Sequence, residues 1–456
     1  MVNKEDKAPK EHKKNWRETN AAEVDIQEFL NNTVRLRQNE ITGEQEFRVP
    51  EISEYTAMGI KYPTGETPLD EWRSPDTWYM VDDRFVNSLC NLMALQKSVS
   101  EKKMWQVIRS DYVKLYNPFV RYLSHLPPWD RKTNPILDLA LSVTVKGGPD
   151  ENLLFYYCLR KWLVAVVAGW LDRKVVNEEI LVFVGRQGIF KTTWFENLLP
   201  PELEEYFHSN ASIGRMDKDE ILKLSRYGLI CCEELDTMKS TEMNRLKWAV
   251  TTKETNERKA YDRAPQRRVH IASYCGTGNN MQFIDDDTGT RRWLPFEVES
   301  IKSPREYPFN HDAIFAQAYA LYLEGFHYWF EGKELDVLKL HNSQFEVPKP
   351  ELELISKFYR VPVEGEHCEF VSSTEIMQTV GGLLTQQLTM NKLGRAMTAL
   401  GFVSMRSRGQ RGYNVVQYSP NELSLNRSLM ASEAKPESEE SKVNLKELFD
   451  TNDTIF

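Results

Sequence analysis

The stretch from Ile180 to Pro200, ILVFVGRQGIFKTTWFENLLP, constrains the fold of this chain more than any other. Five apolar residues from Ile180 to Val184 predict a buried strand, a glycine-bearing loop follows, and apolar periodicity after Lys191 predicts a helix. A phosphate chain is bound by backbone N–H groups that point inward, by a helix N-terminus, by an ammonium group and by a hydroxyl that holds Mg²⁺. The order strand, loop, helix therefore predicts an α/β fold with a nucleotide-binding loop.

The loop matches the spacing G-x-x-x-x-G-K-[ST] with one departure. Phe190 stands where the pattern has a glycine that relaxes backbone strain, so the shape of this loop is left open by the sequence. The alternative is a glycine turn between a strand and a helix, with an incidental lysine. On the phosphate-binding interpretation, the residues that contact the nucleotide are Gly185, Gln187, Gly188, Ile189, Phe190, Lys191, Thr192 and Thr193.

Length and composition set the class of protein. With 456 residues, of which 41% are hydrophobic, the chain is long enough for two to four domains with packed cores. The longest apolar run, Leu163 to Trp170, is shorter than the roughly 20 residues of a membrane span, and the N-terminus lacks the apolar core of a signal peptide, so we expect a soluble, cytoplasmic protein without a membrane partner.

Six cysteines without a C-x-x-C pair predict reduced thiols. A net charge of −9 excludes a uniformly basic surface, so nucleic acid must be bound by local patches.

Changes in composition predict five segments. The long apolar stretch from Leu153 to Leu171 is expected to be a core helix, and the glycine-rich run before Asp150 is the best boundary upstream of it. Helices are also predicted over residues 100–116 and 313–330. The segments are a disordered arm at 1–20, a mainly helical domain at 21–150, the nucleotide-binding domain at 151–345, a smaller domain at 351–420 and a disordered acidic tail at 421–456.

Two acidic residues follow a second apolar strand, which is predicted at residues 229–232. Carboxylates at the carboxyl end of a strand beside a phosphate-binding loop hold Mg²⁺ and polarise the attacking water. We assign Glu233 to the metal together with Thr192, and Glu234 to the water, with Asp236 as a substitute ligand. The alternative is a solvated acidic cluster.

The most basic part of the chain is a predicted hairpin formed by residues 255–261 and 267–273. Cations that meet phosphates, with an aromatic ring that stacks on a base, are typical of a loop that contacts single-stranded nucleic acid. The alternative is a solvated loop balanced by its own acidic residues. The residues assigned to nucleic acid here are Lys253, Arg258, Lys259, Tyr261 and Arg263.

Two polar motifs follow the hairpin. Asn279, after Gly276-Thr277-Gly278, is expected to be a polar sensor that orients water against the γ-phosphate, and the adjacent Asn280 is an alternative. Arg291 and Arg292 lie on a predicted turn before another strand. An arginine delivered from a neighbouring subunit stabilises the charge of the transition state. The alternative for these arginines is an ion pair with the acidic run at 285–287.

In this order, the loop, EELD, LKWAVTTKETNERKAYDR, CGTGNN and TGTRRWLPF resemble the virulence-associated E family of phage, plasmid and integrated-element ATPases. That family is similar to the superfamily 3 helicases of the AAA+ class, and the likeness covers about residues 117–329. It implies an AAA+-like P-loop core, ATP and Mg²⁺ as cofactors, and a primase as a separate partner. The catalytic residues that it implies are Lys191, Glu234, Asn279, Arg291 and Arg292.

The segment at 351–420 predicts three helices, at 351–360, 373–380 and 390–400, with caps at Ser373-Thr374 and Thr389, followed by a basic hairpin. Three helices and a hairpin describe a winged helix, a module that binds duplex DNA, although one used only for protein contacts is the alternative. The acidic tail with its apolar end is similar in kind to the partner-recruiting tip of bacterial single-stranded-DNA-binding proteins. The residues assigned to DNA are Lys392, Arg395, Arg406, Arg408 and Arg411.

Taken together, these features predict an ATP-hydrolysing, ring-forming DNA helicase-like motor, a homo-oligomer and specifically a hexamer, that supports replication of a mobile element or phage in a bacterium. A different class is also open, namely a nucleotide-gated DNA-binding or regulatory assembly that controls an element or defends the host and does not unwind. A third hypothesis is a DNA-binding initiator that acts through residues 351 onward alone.

Overall fold

The computed structural model has a mixed α/β architecture and describes residues 21–50, 77–210, 218–257, 266–285, 290–363, 365–384, 388–407 and 409–418. The arm predicted at 1–20 and the tail predicted at 421–456 lie outside the described residues. The chain divides into two units, residues 1–279 with 291–330, and residues 280–290 with 331–456.

The first part of the first unit combines helices with a small sheet. Its elements are α1 (Glu23–Thr33), β1 (Arg35–Asn39), β2 (Gln45–Arg48), β3 (Tyr79–Met80), α2 (Asp83–Met93), α3 (Glu101–Ile108) and β4 (Leu115–Tyr116). The strands lie in the order β3-β2-β1-β4, and the ring of Phe47 on β2 stacks on Phe85 of α2 at 3.4 Å between centroids.

The helix predicted over residues 100–116 is wrong beyond Ile108. Ser110 explains where it ends, because its hydroxyl donates to Val107 O at 2.7 Å and accepts from Tyr112 N at 3.3 Å, which offers the backbone an alternative to helical bonds. The chain then enters β4, which pairs with β1 in parallel.

The larger part of the first unit is built on a six-stranded sheet in the order β5-β12-β6-β11-β8-β7. Strands β12, β6, β11, β8 and β7 are parallel, and β5 pairs with β12 in the antiparallel sense. The elements are α4 (Pro118–His125), α5 (Pro135–Ala140), β5 (Val143–Val145), α6 (Pro149–Leu171), β6 (Ile180–Val184), α7 (Lys191–Glu196), β7 (Phe207–Asn210), α8 (Lys218–Arg226), β8 (Leu229–Cys232), α9 (Ser240–Thr251), β9 (Glu254–Glu257), β10 (Gln266–Val269), β11 (Ser273–Gly278), β12 (Trp293–Ile301) and α10 (His311–Leu323).

Helix α6 is the core helix that the sequence predicts. Seventeen consecutive residues from Leu154 to Trp170 are buried, and Phe155 packs edge-on against Phe183 of β6 and Phe296 of β12. Of the described helices, only α6 is long and apolar enough to cross a membrane by length and composition, and 94% of its most apolar stretch is buried inside the unit. All six cysteines are free and four are buried.

Helix α10 ends at Leu323, so the helix predicted over residues 313–330 is wrong in its last turns. Gly325 has φ +79°, and its N–H donates to Tyr322 O while the N–H of Phe326 donates to Leu321 O, both at 3.0 Å. This pair of bonds closes the helix at a glycine that tolerates the left-handed conformation.

The predicted basic hairpin is present in the described residues, with 258–265 lying outside them. Strands β9 and β10 pair in the antiparallel sense, whereas the single return strand expected over residues 267–273 and on to Cys275 is interrupted. After His270, the backbone N–H groups of Ile271 and Ala272 both donate to Leu224 O, at 3.0 and 3.2 Å, instead of continuing the pairing with β9. The side chain of His270 is buried and bonds through Nδ1 to Thr252 O at 2.6 Å, and burial lowers its pKa to about 4. The chain resumes at Ser273 as β11 of the large sheet.

The second unit holds α11 (Lys333–Asn342), α12 (Pro350–Phe358), β13 (Tyr359–Arg360), β14 (Glu369–Ser372), α13 (Ser373–Gly381), α14 (Met390–Ala399), β15 (Ser404–Ser407) and β16 (Gln410–Gln417). Strand β16 pairs with β13, β14 and β15. The three helices and the hairpin predicted here are confirmed as elements, and Thr389 caps α14 as predicted. The other cap is Ser372 instead of Ser373-Thr374, because its hydroxyl accepts from Glu375 N.

Candidate nucleotide-binding site

The glycine-bearing loop begins where β6 ends, at the carboxyl edge of the parallel sheet. Gly185 has φ +153°, and a Cβ there would lie 2.6 Å from Val298 O, so only glycine fits. Its N–H donates to Gly278 O at 3.2 Å, which ties the start of the loop to the end of β11. Gly188 has φ +84° with open space where a side chain would be.

The loop presents backbone donors to solvent. Within the described part of the chain, the N–H groups of residues 186–190 donate to no protein acceptor, and residues 186–188 are exposed. A run of unpaired N–H groups at a glycine turn is the arrangement that accepts phosphate oxygens. These donors fit a nucleotide phosphate chain better than they fit a purely structural turn.

Lys191 lies at the centre of this loop with 8% of its surface exposed. Its Nζ donates to Gly185 O and Arg186 O at 2.7 Å each and to Asn279 Oδ1 at 3.3 Å. Burial lowers the pKa of this ammonium group, and the charge of Asp236 opposes that shift. The lysine and the sensor asparagine assigned from sequence are therefore in contact.

Phe190 has a backbone conformation that glycine adopts more readily than any other residue. Its φ is +68° and its ψ is +21°, in the left-handed region, and its side chain is 40% exposed. A residue with a Cβ in this conformation carries backbone strain. Helix α7, which follows, has only six residues, so its dipole is small.

The two glutamates after β8 differ in their surroundings. The carboxylate of Glu233 accepts a hydrogen bond from Ser209 Oγ, and the backbone N–H of Glu233 donates to Asn210 O at 2.8 Å. Glu233 therefore faces β7, on the side of β8 away from β11. Glu234 is exposed and has φ +52°. Ser209 had no sequence signal, because edge-strand serines are common.

Asp236 faces the loop. It lies in the 3₁₀ turn Leu235–Thr237, and its Oδ1 accepts from the backbone N–H of Asn279 at 3.1 Å. Asp236, Asn279 and Lys191 thus form a connected polar group at the carboxyl ends of β8, β11 and β6. The sequence alone assigns Asp236 only as a substitute ligand of the metal.

Arg291 and Arg292 lie at the opposite end of the parallel strands, where β6 begins. Arg292 O accepts from Ile180 N at 2.7 Å, and Trp293 pairs with Ile180, so both arginines flank the beginning of β6. At about 3.3 Å per residue, the five-residue strand separates them from their own loop by about 16 Å. Of the acidic run at 285–287 that the sequence offers as an ion-pair partner, Asp286 and Asp287 lie outside the described residues.

The residues assigned to nucleic acid are only partly described. Lys253 is exposed at the start of the hairpin, whereas Arg258, Lys259, Tyr261, Arg263 and Arg408 lie outside the described residues. In the second unit, Lys392 and Arg395 are exposed one turn apart on α14. On the hairpin, Arg406 and Arg411 are exposed and pair across β15 and β16.

Residues 132–347 match the model of the virulence-associated protein E-like domain. The match spans 216 of the 456 residues, just under half of the chain. The matched range contains the loop, Asp236, Asn279 and both arginines, and the family resemblance predicted from the motif order is confirmed.

Solved structures similar to this chain include the NrS-1 C-terminal region (residues 305–718 of that protein) in its apo form. The identity is 12%, the TM-score is 0.44, and 86% of this chain and 98% of that one are covered. A second is SCCmec type IV Cch, described as an active helicase, at 14% identity and a TM-score of 0.38, covering 86% and 94%. At such values the likeness assigns neither fold nor activity to this chain. No curated protein sequence matches it.

Proposed function

We propose that this chain is an ATP-hydrolysing motor with an AAA+-like P-loop core that acts on DNA for a mobile element or phage. The observation that carries the proposal is the contact of buried Lys191 with Asn279 in a loop where, among the described residues, the N–H groups of 186–190 have no protein acceptor. An ammonium group, a polar amide and free N–H donors at one sheet edge are the groups that bind and polarise a γ-phosphate.

The residues present also fit Mg²⁺ with ATP. Mg²⁺ is held by one or two protein oxygens together with the phosphates. The turn after β8 offers such oxygens beside the loop, among them Asp236 Oδ1, which accepts from Asn279 N. Thr192 and, once released from Ser209, Glu233 would hold the metal, and it would neutralise charge on the β- and γ-phosphates. Lys191 binds the same oxygens, and Asn279 and Glu234 orient water.

Placement of the arginines supports a homo-oligomer, proposed to be a hexameric ring. Arg291 and Arg292 are separated from their own loop by the length of β6, yet Arg291 is exposed. Each loop would then be completed by an arginine of the adjacent subunit. A separate primase and a replication role stay predictions of the family resemblance.

DNA is the proposed partner at two places. The β9–β10 hairpin begins at exposed Lys253 and would contact a single strand, in keeping with the basic composition of the segment. In the second unit, three helices followed by a hairpin with paired, exposed Arg406 and Arg411 support a winged helix that contacts duplex phosphates.

A nucleotide-gated assembly that does not unwind is the second candidate, and two observations favour it. The carboxylate of Glu233 is engaged by Ser209, and Phe190 holds a strained backbone, so hydrolysis would be slow while nucleotide binding persists. In this case ATP would set the oligomeric state alone.

Strand-displacement and ATPase assays on the full chain separate the two. A motor requires that Lys191→Ala abolish both activities and that Arg263→Ala, outside the described residues, abolish unwinding. Lys174→Ala, an exposed lysine beyond α6, is the matched control and should leave both activities unchanged. Wild-type protein that binds ATP and DNA without unwinding would establish the gated assembly instead. An initiator acting through its C-terminal part alone would lose all DNA affinity when residues 351 onward are deleted.

A further inference from the structure

Two glycines on β11 leave space for the turn that follows β8. Gly276 and Gly278 are two residues apart and therefore face the same side of the strand. A Cβ on Gly276 would lie 2.4 Å from Leu235 Cδ1 and 3.0 Å from Cys232 O, and one on Gly278 would lie 3.2 Å from Asp236 Oδ1. Successive residues of the turn, Leu235 and Asp236, occupy the space that successive side chains of β11 would fill.

The packing of this turn against β11 orients Asp236. Leu235 is 1% exposed and anchors the turn by its apolar contact with the strand. With Leu235 held, Asp236 is placed under the end of β11, where its Oδ1 accepts the backbone N–H of Asn279 at 3.1 Å. The side chain of Asn279 in turn accepts from Lys191 Nζ at 3.3 Å. One chain of contacts therefore runs from the turn through the sensor to the phosphate-binding lysine.

Neither glutamate of the same turn makes this connection. Glu233 is bonded to Ser209 of β7, and Glu234 is exposed in a left-handed conformation. A bond from a carboxylate to a backbone N–H is charge-assisted and about twice as strong as a neutral one, so the aspartate is the group suited to hold this loop.

We infer that Asp236 is a positioning residue that locks the sensor Asn279 beside Lys191. The inference rests on the proposed hydrolysis, in which Asn279 orients water. Asp236 acts through Asn279: it holds the backbone of the sensor, and the sensor amide meets the lysine. The alternation of glycines in Gly276-Thr277-Gly278 is the sequence signal for this arrangement, because it leaves room for the turn.

The first test is a double-mutant cycle measured by steady-state ATPase kinetics. Asp236→Asn keeps the shape and removes the charge, and we expect kcat to fall roughly 10- to 100-fold with KM for ATP within about threefold. Asn279→Ala should lower kcat by at least as much, and the double variant should be no slower than Asn279→Ala alone, because the aspartate acts through the asparagine. Multiplied losses in the double variant, or an unchanged kcat in Asp236→Asn, would overturn the inference.

The matched control is Asp130→Asn. Asp130 also accepts backbone N–H groups, from Lys132 and Thr133, but in the loop between α4 and α5. This variant should retain wild-type kcat. A loss as large as that of Asp236→Asn would mean that removal of any such aspartate damages the protein, and the inference would fall.

Amide hydrogen exchange separates this inference from the proposed function. In the full chain without nucleotide, Asp236→Ala should speed exchange at Asn279 by about tenfold or more, because the acceptor of that N–H is removed. If the wild-type chain does not hydrolyse ATP but this acceleration is seen, the hydrolysis proposal fails while the contact stands. If exchange at Asn279 is unchanged, the positioning role of Asp236 is refuted, whatever the ATPase rate.

Discussion

The left-handed backbone of Phe190 predicts which of two substitutions at this position leaves the protein more stable. At φ +68° a residue with a Cβ costs roughly 1–2 kcal/mol relative to glycine. Glycine loses roughly 0.5–1 kcal/mol through its greater freedom in the unfolded chain. Phe190→Gly and Phe190→Ala both remove the ring, so the loss of packing cancels between them. Phe190→Gly should therefore be more stable than Phe190→Ala by about 0.5–1 kcal/mol.

Urea unfolding of the two variants measures this difference, read from the midpoints at equal slope. The control pair is Asn244→Gly and Asn244→Ala, at an exposed position in the interior of helix α9, where alanine should be the more stable by about 1 kcal/mol. The reversal of sign between the two positions is the test. If Phe190→Ala equals or exceeds Phe190→Gly in stability, residue 190 is not left-handed in solution.

Three further outcomes are expected. Mixing Lys191→Ala chains with chains in which both Arg291 and Arg292 are alanine should restore ATPase activity, because some interfaces then pair an intact loop with intact arginines; no recovery would argue against a shared site. Burial raises the pKa of Glu179 to about 7, so its native form holds a proton that the unfolded form loses, and its contribution to stability declines as the pH rises from about 4.5 to 7. Glu179→Gln should therefore gain on the order of 3 kcal/mol relative to wild type between pH 5 and 8 in urea unfolding, and a constant difference would contradict this. Gly412→Ala should destabilise the second unit by roughly 1–3 kcal/mol in thermal unfolding, because its Cβ would lie 2.3 Å from Val371 O; an unchanged melting temperature would be inconsistent with that packing.

Strands and loops that carry strong local signals could be predicted from the sequence. The apolar run Ile180–Val184 has the predicted bounds, and Leu229–Cys232 and the helices after residue 350 agree within a few residues. Parallel pairing then brings the ends of β6, β8 and β11 to one edge, as the motif order implied. Runs and periodic patterns of apolar residues identify such elements because a buried position requires an apolar side chain.

Side-chain direction at the turn after β8 could not be predicted. Glu233, Glu234 and Asp236 are three carboxylates within four residues, and spacing alone does not say which one faces the loop. The answer depends on Ser209, which is distant in sequence, and on the space left by Gly276 and Gly278. Contacts of this kind arise from tertiary packing, so no local pattern reports them.

Under the proposed function, strand β6 would link nucleotide binding to assembly. Its carboxyl end leads into the loop with Lys191, and its amino end is flanked by the two arginines, about 16 Å away by the rise of a strand. The strand is buried along its whole length and paired on both sides, so a rearrangement that brought its two ends together would break its hydrogen bonds to β11 and β12. If both ends are needed for hydrolysis, turnover would therefore require adjacent copies, whereas nucleotide binding would require only one chain.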